Sequence, residues 1–590
     1  MFRLSSPHRL PTVLACLFGC AFAPLAFAQW IFVGPASDPE CDYTTIQAAV
    51  DAWAASPSSD AITIVISNMQ SYPASAITIP TPVASTQLGL RGDMPGCRLS
   101  APSGHVVLDG AGNSGEPVVA IDGAVAGDDH RFEITLGPAL EITGGHVAGN
   151  GGGLRLRGNA VASLFETIVH DNSAANGGGV SVETTAAGAP HLIMVGNDHA
   201  ATIRDNAATQ DGGGLYCSDA TTYCDRYCLI AGNTAGRNGG GVAQQSCETA
   251  IYPTKSSGGN DFNVGLRGNS AVGDGGGAWA SGGYFAVGGS PPLKPAPVVG
   301  NNAGGNGGGL YFTNAGAFSN TQNGVQFDDN QADGDGGALF ADSGFLQLGA
   351  GFGWTGCTVF DGCPRFLRNH AGGSGGAIAL SGSAQGQVSD TMFTDNDAMR
   401  ASVLQTSVAG AGLSLTNAQI AGNHGAPELL RSSGGTIDLR YVTIADNGGD
   451  NDTLIRFDAP GSFGATNSIL YDLEGAASGV VVIAPTGTTL YVNCTLVGND
   501  TGLAGEAGVT NLVVADPQWD TSGLYPVGLY VPGPDSPAVD ACGPGPGTIT
   551  DFLGTARPQD VAKPDAAGMY DMGAVERLPD HLFGDGFEEP

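Results

Sequence analysis

The sequence is poor in positively charged residues, and lysine is almost absent. Only 22 Lys and Arg residues stand against 56 Asp and Glu residues, which gives a formal net charge of −34. The lysines are Lys255, Lys294 and Lys563. Because nucleic acids and anionic lipid surfaces are bound chiefly through Lys and Arg, the composition excludes nucleic acid as a partner. It favours cations or basic surfaces instead.

Long apolar runs are absent after residue 28, so no later segment reaches the ~18 to 20 apolar residues of a membrane-spanning helix. Residues 1–28 combine early basic residues, an apolar run from Val13 to Phe22 and the ending Ala26-Phe27-Ala28. This pattern is typical of a secretory signal peptide, with a lipoprotein signal at Cys20 as the alternative. The chain is therefore predicted to be exported, either secreted or held at the cell envelope or outer-membrane surface.

Motifs of several common enzyme classes are also missing. The sequence contains no nucleophile elbow, phosphate-binding loop, HExxH zinc motif or dinucleotide fingerprint. Any catalytic site would have to be assembled by the fold from residues far apart in the chain.

Twelve cysteines are present, and all but Cys16 and Cys20 follow the predicted signal peptide. The remaining number is even, and an exported chain enters an oxidising compartment, so disulfides are expected. A zinc site is the alternative for the central group, although its spacing lacks a CxxC pair. The predictions are a local pair of Cys357 with Cys363, two disulfides among Cys217, Cys224, Cys228 and Cys247, and end staples joining Cys41 to Cys97 and Cys494 to Cys542.

Glycine, in contrast, is abundant, with 95 of 590 residues, and much of it belongs to an internal repeat. Each copy has an Asn, usually an Ala two places later, and then a Gly cluster that leads into an apolar strand. The Asn and first Gly of successive copies are Asn172 and Gly177, Asn206 and Gly212, Asn233 and Gly239, Asn269 and Gly275, Asn301 and Gly307, Asn330 and Gly336, and Asn369 and Gly375. Asn396, Asn423 and Asn447 keep only the Asn.

Short strands of alternating polarity flank each turn and cannot bury a face alone, so they are expected to stack coil upon coil. Asparagine tolerates the left-handed backbone region and can form an amide ladder between coils, while glycine permits a positive φ where a Cβ would clash. These residues are interpreted as structural. The predicted fold is all-β, a single-stranded right-handed parallel β-helix with an N-terminal helical cap.

The repeats also resemble those of a known family. Phe327-Asp-Asp-Asn330 with Gly336-Gly-Ala-Leu339, and Phe366-Leu-Arg-Asn369 with Gly375-Gly-Ala-Ile378, are similar to the FxxN and GGAI repeats of chlamydial polymorphic outer-membrane proteins. The resemblance spans about residues 145 to 450. It implies a surface-exposed β-helix with a role in adhesion.

The two ends carry different patterns. Residues 43–51 predict a short amphipathic helix followed by a buried strand at 62–66, an opening that resembles pectin-lyase-like β-helices. Near the other end, Ser536–Asp540, Asp551–Arg557 and Asp571–Glu576 resemble a terminal module of the choice-of-anchor type, which implies a cap before a sorting tail. The predicted divisions are a signal peptide at 1–28, a cap with first coils at 29–100, β-helix repeats at 101–510, a C-terminal cap module at 511–577 and an acidic tail at 578–590.

A candidate catalytic set comes from the position before each turn asparagine. Asp329, Arg368 and Asp395 occupy it in consecutive repeats, which predicts an acid–base–acid column with carboxylates ~9.6 Å apart. That separation falls near the upper limit for an inverting glycosidase. A surface salt-bridge ladder is the alternative interpretation.

Carboxylates at Asp446, Asp450 and Asp452 offer hard oxygen ligands for Ca²⁺, with a solvated acidic turn as the alternative. No other cofactor is indicated. The sequence thus favours a monomeric, exported, non-enzymatic β-helix that binds host or cell-surface glycans or proteins in adhesion or another envelope interaction. The alternative is a polysaccharide lyase or glycoside hydrolase that acts on an acidic glycan.

Overall fold

The computed structural model describes residues 29–84, 86–98, 101–112, 115–123, 131–253, 264–289, 295–314, 318–319, 324–349, 364–408, 410–448, 453–472, 480–525, 527–545, 550–559 and 568–578. Parallel strands form nearly all of the regular structure, beside one helix at Ile46–Ala54. The chain passes through its sheets in the same order from coil to coil, so it forms a parallel β-helix, as predicted. No helix among the described residues has the length and apolar character needed to cross a membrane.

The first face is a sheet with two arms, A1 and A2, and each arm pairs in parallel from coil to coil. The strands of arm A1 are Gln29–Val33, Ile62–Ser67, Gln87–Met94, Phe132–Leu136, Ala160–Phe165, His191–Val195, Thr221–Arg226, Glu248–Ile251, Tyr284–Val287, Phe318–Ser319 and Phe345–Leu348. The strands of arm A2 are Val106–Asp109, Leu140–Thr143, Ile168–His170, Ala201–Arg204, Cys228–Ala231, Gly265–Arg267, Ala296–Val299, Val325–Asp328 and Arg365–Leu367.

The two arms join in the later coils, where one bent strand replaces two short ones. These strands are Gln385–Thr394, Gly412–Ala421, Thr436–Ala445, Ser462–Leu470 and Thr489–Val497, and Val509–Val514 follows them. Each bend lies at a residue with positive φ, for example 50° at Asp390 and 52° at Tyr441. The change removes the connection between the arms that earlier coils contain.

Two further sheets close each coil. Sheet B consists of Ile77–Pro80, Val119–Asp122, Leu154–Arg157, Val180–Glu183, Leu215–Ser218, Val242–Gln245, Ala278–Ser281, Leu310–Thr313, Leu339–Ala341, Ile378–Leu380, Leu404–Thr406, Glu428–Ser432, Thr453–Phe457 and Val480–Ile483. Sheet C, between arm A2 and sheet B, consists of Ser173–Ala174, Ala207–Ala208, Thr234–Ala235, Ser270–Ala271, Asn302–Ala303, Gln331–Ala332, His370–Ser374 and Asp397–Arg400.

The turn asparagines form a continuous hydrogen-bonded ladder between arm A2 and sheet C. Nδ2 and the backbone N–H of Asn172 both donate to Oδ1 of Asn206, each at 3.0 Å. The same two bonds recur from Asn206 upward, as far as the step from Asn423 to Asn447. All these side chains are buried. The ladder therefore satisfies polar groups that would otherwise destabilise the core.

The left-handed residue of this turn is the one before the asparagine. The value of φ is 53° at Asp171, 54° at Asp205 and 63° at Gly232. The expectation that asparagine itself supplies the left-handed conformation is wrong, because its backbone N–H must point along the stack toward the next asparagine. The preceding residue makes the reversal instead.

Glycine is required at the turn into sheet B. Gly177 has a φ of 60°, and a Cβ on Gly178 would collide with the carbonyl oxygens of Ala207 and Gly213 in the next coil. Inside the coils, the rings of Phe327, Phe366 and Phe393 stack with centroids 4.7 and 4.9 Å apart. Glycine at the turn and stacked side chains in the core thus permit the same close approach of coils.

The helix covers the free edge of sheet B at the first coil. It begins after Thr45, whose hydroxyl accepts a hydrogen bond from the backbone N–H of Ala48 at 3.3 Å, slightly later than predicted. The Gln47 side chain donates to the carbonyl of Thr78 at 2.9 Å and accepts from its N–H at 2.8 Å. Trp53 is fully buried against Phe132. The helix thus satisfies an exposed strand edge.

Disulfides link Cys41 to Cys97, Cys217 to Cys247, Cys224 to Cys228 and Cys494 to Cys542. The two predicted end staples and the two predicted central disulfides are therefore present. The predicted pair Cys357 with Cys363 lies outside the described residues, as do the predicted signal peptide and residues 579–590 of the predicted tail.

After the last strand, the chain turns back and packs along the outside of the bent strands. Cys542 is bonded to Cys494, the N–H of Gly545 donates to the hydroxyl of Tyr441 at 2.9 Å, and Asn417 Nδ2 donates to the carbonyl of Thr550 at 2.8 Å. We call the described residues within 515–578 the lateral segment. It covers the side of several late coils.

Buried charges hold the lateral segment together. Arg557 donates to Glu576 at 2.5 Å, with both side chains fully buried, and its guanidinium lies 4.1 Å from the ring centroid of Tyr441. Asp551 accepts backbone hydrogen bonds from Thr555 at 2.7 Å and Glu576 at 2.9 Å. The acidic and arginine residues singled out in the C-terminal sequence therefore form one internal polar network.

Candidate functional site

The predicted column Asp329, Arg368 and Asp395 lies on three successive coils at the left-handed corner after arm A2. Their φ values are 56°, 52° and 54°. The strand register pairs Asp328 with Leu367 and Leu367 with Thr394, so the residues that follow these positions are stacked along the helix axis. The structure thus brings the three predicted side chains to one surface.

Arg368 and Asp329 form a bidentate ion pair within this column. Nε donates to Oδ1 at 2.7 Å and Nη2 donates to Oδ2 at 2.8 Å. The side chains are 51% and 47% exposed. The hydrogen bond that Arg368 donates to Asp329, aided by the charges of Asp329, Asp328 and Asp395, raises the pKa of Arg368. The guanidinium is therefore a firmly held cation and is unsuited to act as a base.

A second, more buried ion pair lies beside the column. Arg365 Nε donates to Asp328 Oδ1 at 3.0 Å, and Nη2 donates to Oδ2 at 2.7 Å. Their side chains are only 13% and 10% exposed. On the neighbouring sheet C, His370 Nδ1 is 2.8 Å from Asp397 Oδ2. Acidic and basic side chains thus alternate across this corner.

The predicted Ca²⁺ ligands are only partly within the described residues. Asp450 and Asp452 lie outside them. Asp446 Oδ2 accepts a hydrogen bond from the Tyr530 hydroxyl at 2.6 Å, which ties this turn to the lateral segment. A separate cluster of Asp38, Cys41 and Cys97 has suitable donor types, but its two sulfurs form a disulfide and are not available as thiolate ligands.

A further group of side chains, not identified from the sequence, lies at the turn into sheet B. Aspartate and asparagine alternate here just before the glycine clusters, and Oδ1 of each accepts the backbone N–H of its counterpart on the next coil. The steps are Asp211 to Asn238 at 3.1 Å, Asn238 to Asp274 at 3.0 Å, Asp274 to Asn306 at 2.7 Å, Asn306 to Asp335 at 2.8 Å and Asp335 to Ser374 at 2.7 Å. Carboxylates therefore recur every second coil, or ~9.6 Å.

Aromatic residues accompany these carboxylates on the outer face of sheet B. The register places Tyr216, Ala243, Trp279, Tyr311 and Phe340 in one outward column. The rings of Tyr311 and Phe340 stack with centroids 5.1 Å apart and planes 8° from parallel. Trp279 and Tyr311 are partly exposed, whereas the others are buried. We call this surface, with the adjoining aspartates, the aromatic–acidic strip.

One aspartate of the strip is neutralised by an arginine of the chain itself. Arg237 Nε donates to Asp211 Oδ1 at 2.8 Å, and Nη2 donates to Oδ2. The Asp211 side chain is 1% exposed, whereas that of Arg237 is 56% exposed. The hydrogen bond to Asp211 raises the pKa of Arg237. Asp211, Arg237 and the neighbouring Tyr216 thus form an acid–cation–aromatic unit.

The other two aspartates lack this internal cation. The positions that correspond to Arg237 in the following coils are Gly305 and Gly373, and a Cβ built there would approach Oδ1 of Asp274 and Asp335, respectively. Within the part of the chain that the structure describes, neither aspartate has an ion pair. Burial, and then the charges of Asp274 and Asp342, raise the pKa of Tyr311 to about 12. The strip is therefore locally anionic.

A sequence signal for the strip does exist. Asp211-Gly-Gly-Gly-Leu-Tyr216, Asp274-Gly-Gly-Gly-Ala-Trp279 and Asp335-Gly-Gly-Ala-Leu-Phe340 share an aspartate, a glycine turn and an aromatic residue. The shared pattern recurs only in alternate repeats, and consecutive copies do not show it. Comparing every second repeat would have revealed it.

Residues 324–342 match the family profile of the Chlamydia polymorphic membrane protein repeat. The matched stretch includes Asn330, Asp335 and Phe340, so the profile covers both a rung of the asparagine ladder and one unit of the strip. No curated protein matches the chain. The repeat match, the disulfides and the stacked parallel sheets fit an exported protein with repeats like those of an outer-membrane surface family.

Proposed function

We propose that this protein is an exported, non-enzymatic β-helix that binds a partner at a cell surface through the aromatic–acidic strip. The observation that carries the proposal is the outward position of Trp279 and Tyr311 beside Asp274 and Asp335, which have no internal cation among the described residues. Partly exposed aromatic rings with nearby polar groups are frequent in binding surfaces.

The repeat match supports the proposed location and the adhesive role. Repeats of this kind are found in surface proteins, and disulfides are formed and retained in oxidising compartments. A stacked solenoid presents long, regular surfaces, which suits recognition of extended partners. We therefore propose adhesion or another envelope interaction as the role of the strip.

An enzyme acting on acidic glycans is the second candidate, favoured by the alignment of Asp329, Arg368 and Asp395 on adjacent coils. Two features argue against it. Both carboxylate oxygens of Asp329 accept hydrogen bonds from Arg368, and Arg368 stands on the coil between Asp329 and Asp395, where an inverting enzyme would need room for water.

The deciding experiment measures binding and turnover with the same preparation. The chain from residue 29 is offered to intact host-type cells and, separately, to pectin, alginate and host acidic glycans with and without Ca²⁺. We expect saturable binding that falls in a Trp279→Ala/Tyr311→Ala double variant and no new reducing or unsaturated ends. Tyr491→Ala is the matched control because Tyr491 is 60% exposed on another face. Equal binding by all three proteins would reject the proposal, and glycan cleavage lost in Arg368→Ala would favour the enzyme.

A further inference from the structure

In the aromatic–acidic strip, an arginine of the chain itself, Arg237, is bound in the way that a cationic ligand would be. Arg237 extends across the turn to Asp211, forms a bidentate ion pair and lies close to Tyr216. The interaction joins a guanidinium, a carboxylate and an aromatic ring. Cations are attracted both to carboxylates and to aromatic faces, and planar guanidinium groups match a carboxylate through two parallel hydrogen bonds.

The next two units repeat the carboxylate and the ring but omit the cation. Asp274 and Trp279 belong to one copy of the repeat and Asp335 and Phe340 to another, and the ring of Tyr311 stacks on that of Phe340. Glycine replaces the arginine at positions 305 and 373, so no side chain of the chain extends from there over the carboxylate. Oδ1 of each aspartate is used by the backbone N–H of the next coil, at 2.7 Å in both cases. Among the described residues, Oδ2 of each has no cationic partner.

The spacing of the two units restricts the shape of the partner. The units are two coils apart, or ~9.6 Å along the helix axis. Three residues of a polyproline II segment span ~9.3 Å. A segment that lies parallel to the axis and carries a cation at every third residue would therefore place successive cations beside successive aspartates.

We infer that the strip binds an extended basic peptide segment, with arginine or lysine side chains three residues apart occupying the units Asp274–Trp279 and Asp335–Phe340 as Arg237 occupies Asp211–Tyr216. The inference rests on the proposed function and names the chemistry of its partner. The formal net charge of −34 supports the same polarity, because it attracts basic segments over a long range at low salt.

The test uses the chain from residue 29 and three fluorescent peptides of equal length. One contains four Arg-Pro-Pro repeats, one has the same composition with its arginines adjacent, and one contains four Glu-Pro-Pro repeats. We expect the spaced arginine peptide to bind most tightly, the clustered peptide several-fold more weakly and the acidic peptide not at all. Raising the salt concentration should weaken the binding.

Variants distinguish the strip from general acidity. Asp274→Asn/Asp335→Asn keeps the Oδ1 acceptor, since asparagine occupies the alternating rungs, and should raise the Kd about tenfold. Asp198→Asn, an exposed acid at another corner, should leave the Kd unchanged. Arg237→Gly should lower the Kd several-fold by opening a third unit, and adding Asp211→Asn should remove that gain.

Three outcomes would overturn the inference. Binding that falls equally with Asp198→Asn would show that net charge alone is responsible. Cell binding that is lost with Trp279→Ala/Tyr311→Ala but kept with Asp274→Asn/Asp335→Asn would point to an uncharged glycan. In the second case the proposed function survives while the inference fails. If every strip variant keeps both cell binding and peptide binding, the proposed function and the inference are both rejected.

Discussion

The backbone N–H of Asn447 donates to Oδ1 of Asp472 at 3.0 Å, where each earlier asparagine donates to another asparagine. The carboxylate can accept this bond but has no N–H with which to continue the ladder. Each internal rung donates two hydrogen bonds from Nδ2 and accepts at Oδ1, as Asn301 does, and an amide side chain supplies this combination whereas a hydroxyl or a carboxylate does not. The repeated asparagines are thus fixed by the need to pass hydrogen bonds in one direction.

Removing an internal rung should therefore be costly. Asn301 accepts from the backbone N–H and Nδ2 of Asn269, both at 3.0 Å, and donates to the Leu266 carbonyl at 3.1 Å. Asn301→Ala leaves these buried groups without partners, and we expect a loss of about 3 kcal/mol in the free energy of unfolding, measured with urea. Asn302→Ala, at the neighbouring exposed position, should change it by less than about 0.5 kcal/mol. Similar losses for both variants would contradict this role of the ladder.

Two adjacent aspartates should differ sharply in their contribution to stability. Asp328 pairs with Arg365 in a mostly buried environment, whereas Asp329 pairs with Arg368 at the surface. Asp328→Asn should lower the free energy of unfolding by about 3 kcal/mol, because the buried guanidinium loses its counter-charge. Asp329→Asn should lower the free energy of unfolding by less than about 1 kcal/mol, and 1 M salt should make this loss smaller still. The prediction fails if the two losses are equal.

The disulfide between Cys494 and Cys542 should hold the lateral segment against the coils. Its sequence separation is 48, for which the entropy of loop closure predicts a stabilisation of about 4 kcal/mol. In a Cys494→Ala/Cys542→Ala variant, limited proteolysis should release fragments of residues 515–578 first, as identified by mass spectrometry. Cys217→Ala/Cys247→Ala is the control, and early release of the same fragments from it would argue against the assignment.

The attachment of the lateral segment should also depend on pH. Burial raises the pKa of Asp390 from 3.8 to about 6, although hydrogen bonds from Asn417 and Ser389 oppose the shift. The folded state therefore holds the proton more tightly than the unfolded state, so this contribution is full below about pH 4 and is lost as pH rises past about 6.

Asp390→Asn removes this titration and keeps an oxygen that can accept from Asn417 Nδ2, a bond of 3.1 Å in the native protein. We expect the variant to exceed the native protein in free energy of unfolding by up to about 3 kcal/mol at pH 8, with little difference at pH 4. Urea unfolding at the two pH values measures this. An unchanged pH dependence in the variant would show that Asp390 is not responsible.

Much of the fold could be predicted because the repeat acts locally and identically in each coil. The Asn, Ala and Gly residues each occupy one fixed place in the coil. Their spacing therefore indicated stacked coils, with an amide ladder at the Asn positions and a tight turn at the Gly positions. The backbone conformation was harder, since a left-handed residue at Asp171 or Arg368 has no Gly or Asn signature. The direction of the asparagine N–H decides that conformation, and it follows only from the stack.

The candidate site was predicted less completely. The column of Asp329, Arg368 and Asp395 follows from repeat alignment, but the ion pair that engages Arg368 depends on side-chain placement between coils. The strip was missed because its aspartates recur in alternate copies and its aromatic residues occupy outward positions that resemble core positions in the sequence.

By itself, the sequence determined the parallel β-helix, its acidic character and the residues that stack in each turn, because these depend on local backbone preferences repeated along the chain. The tertiary structure alone decided which charges neutralise one another and which do not. Asp211 and Asp274 occupy the same place in their repeats, yet only the first meets an arginine, because Arg237 and Gly305 stand in the coils that follow them. That difference depends on contacts between coils, where residues distant in sequence come within hydrogen-bonding distance.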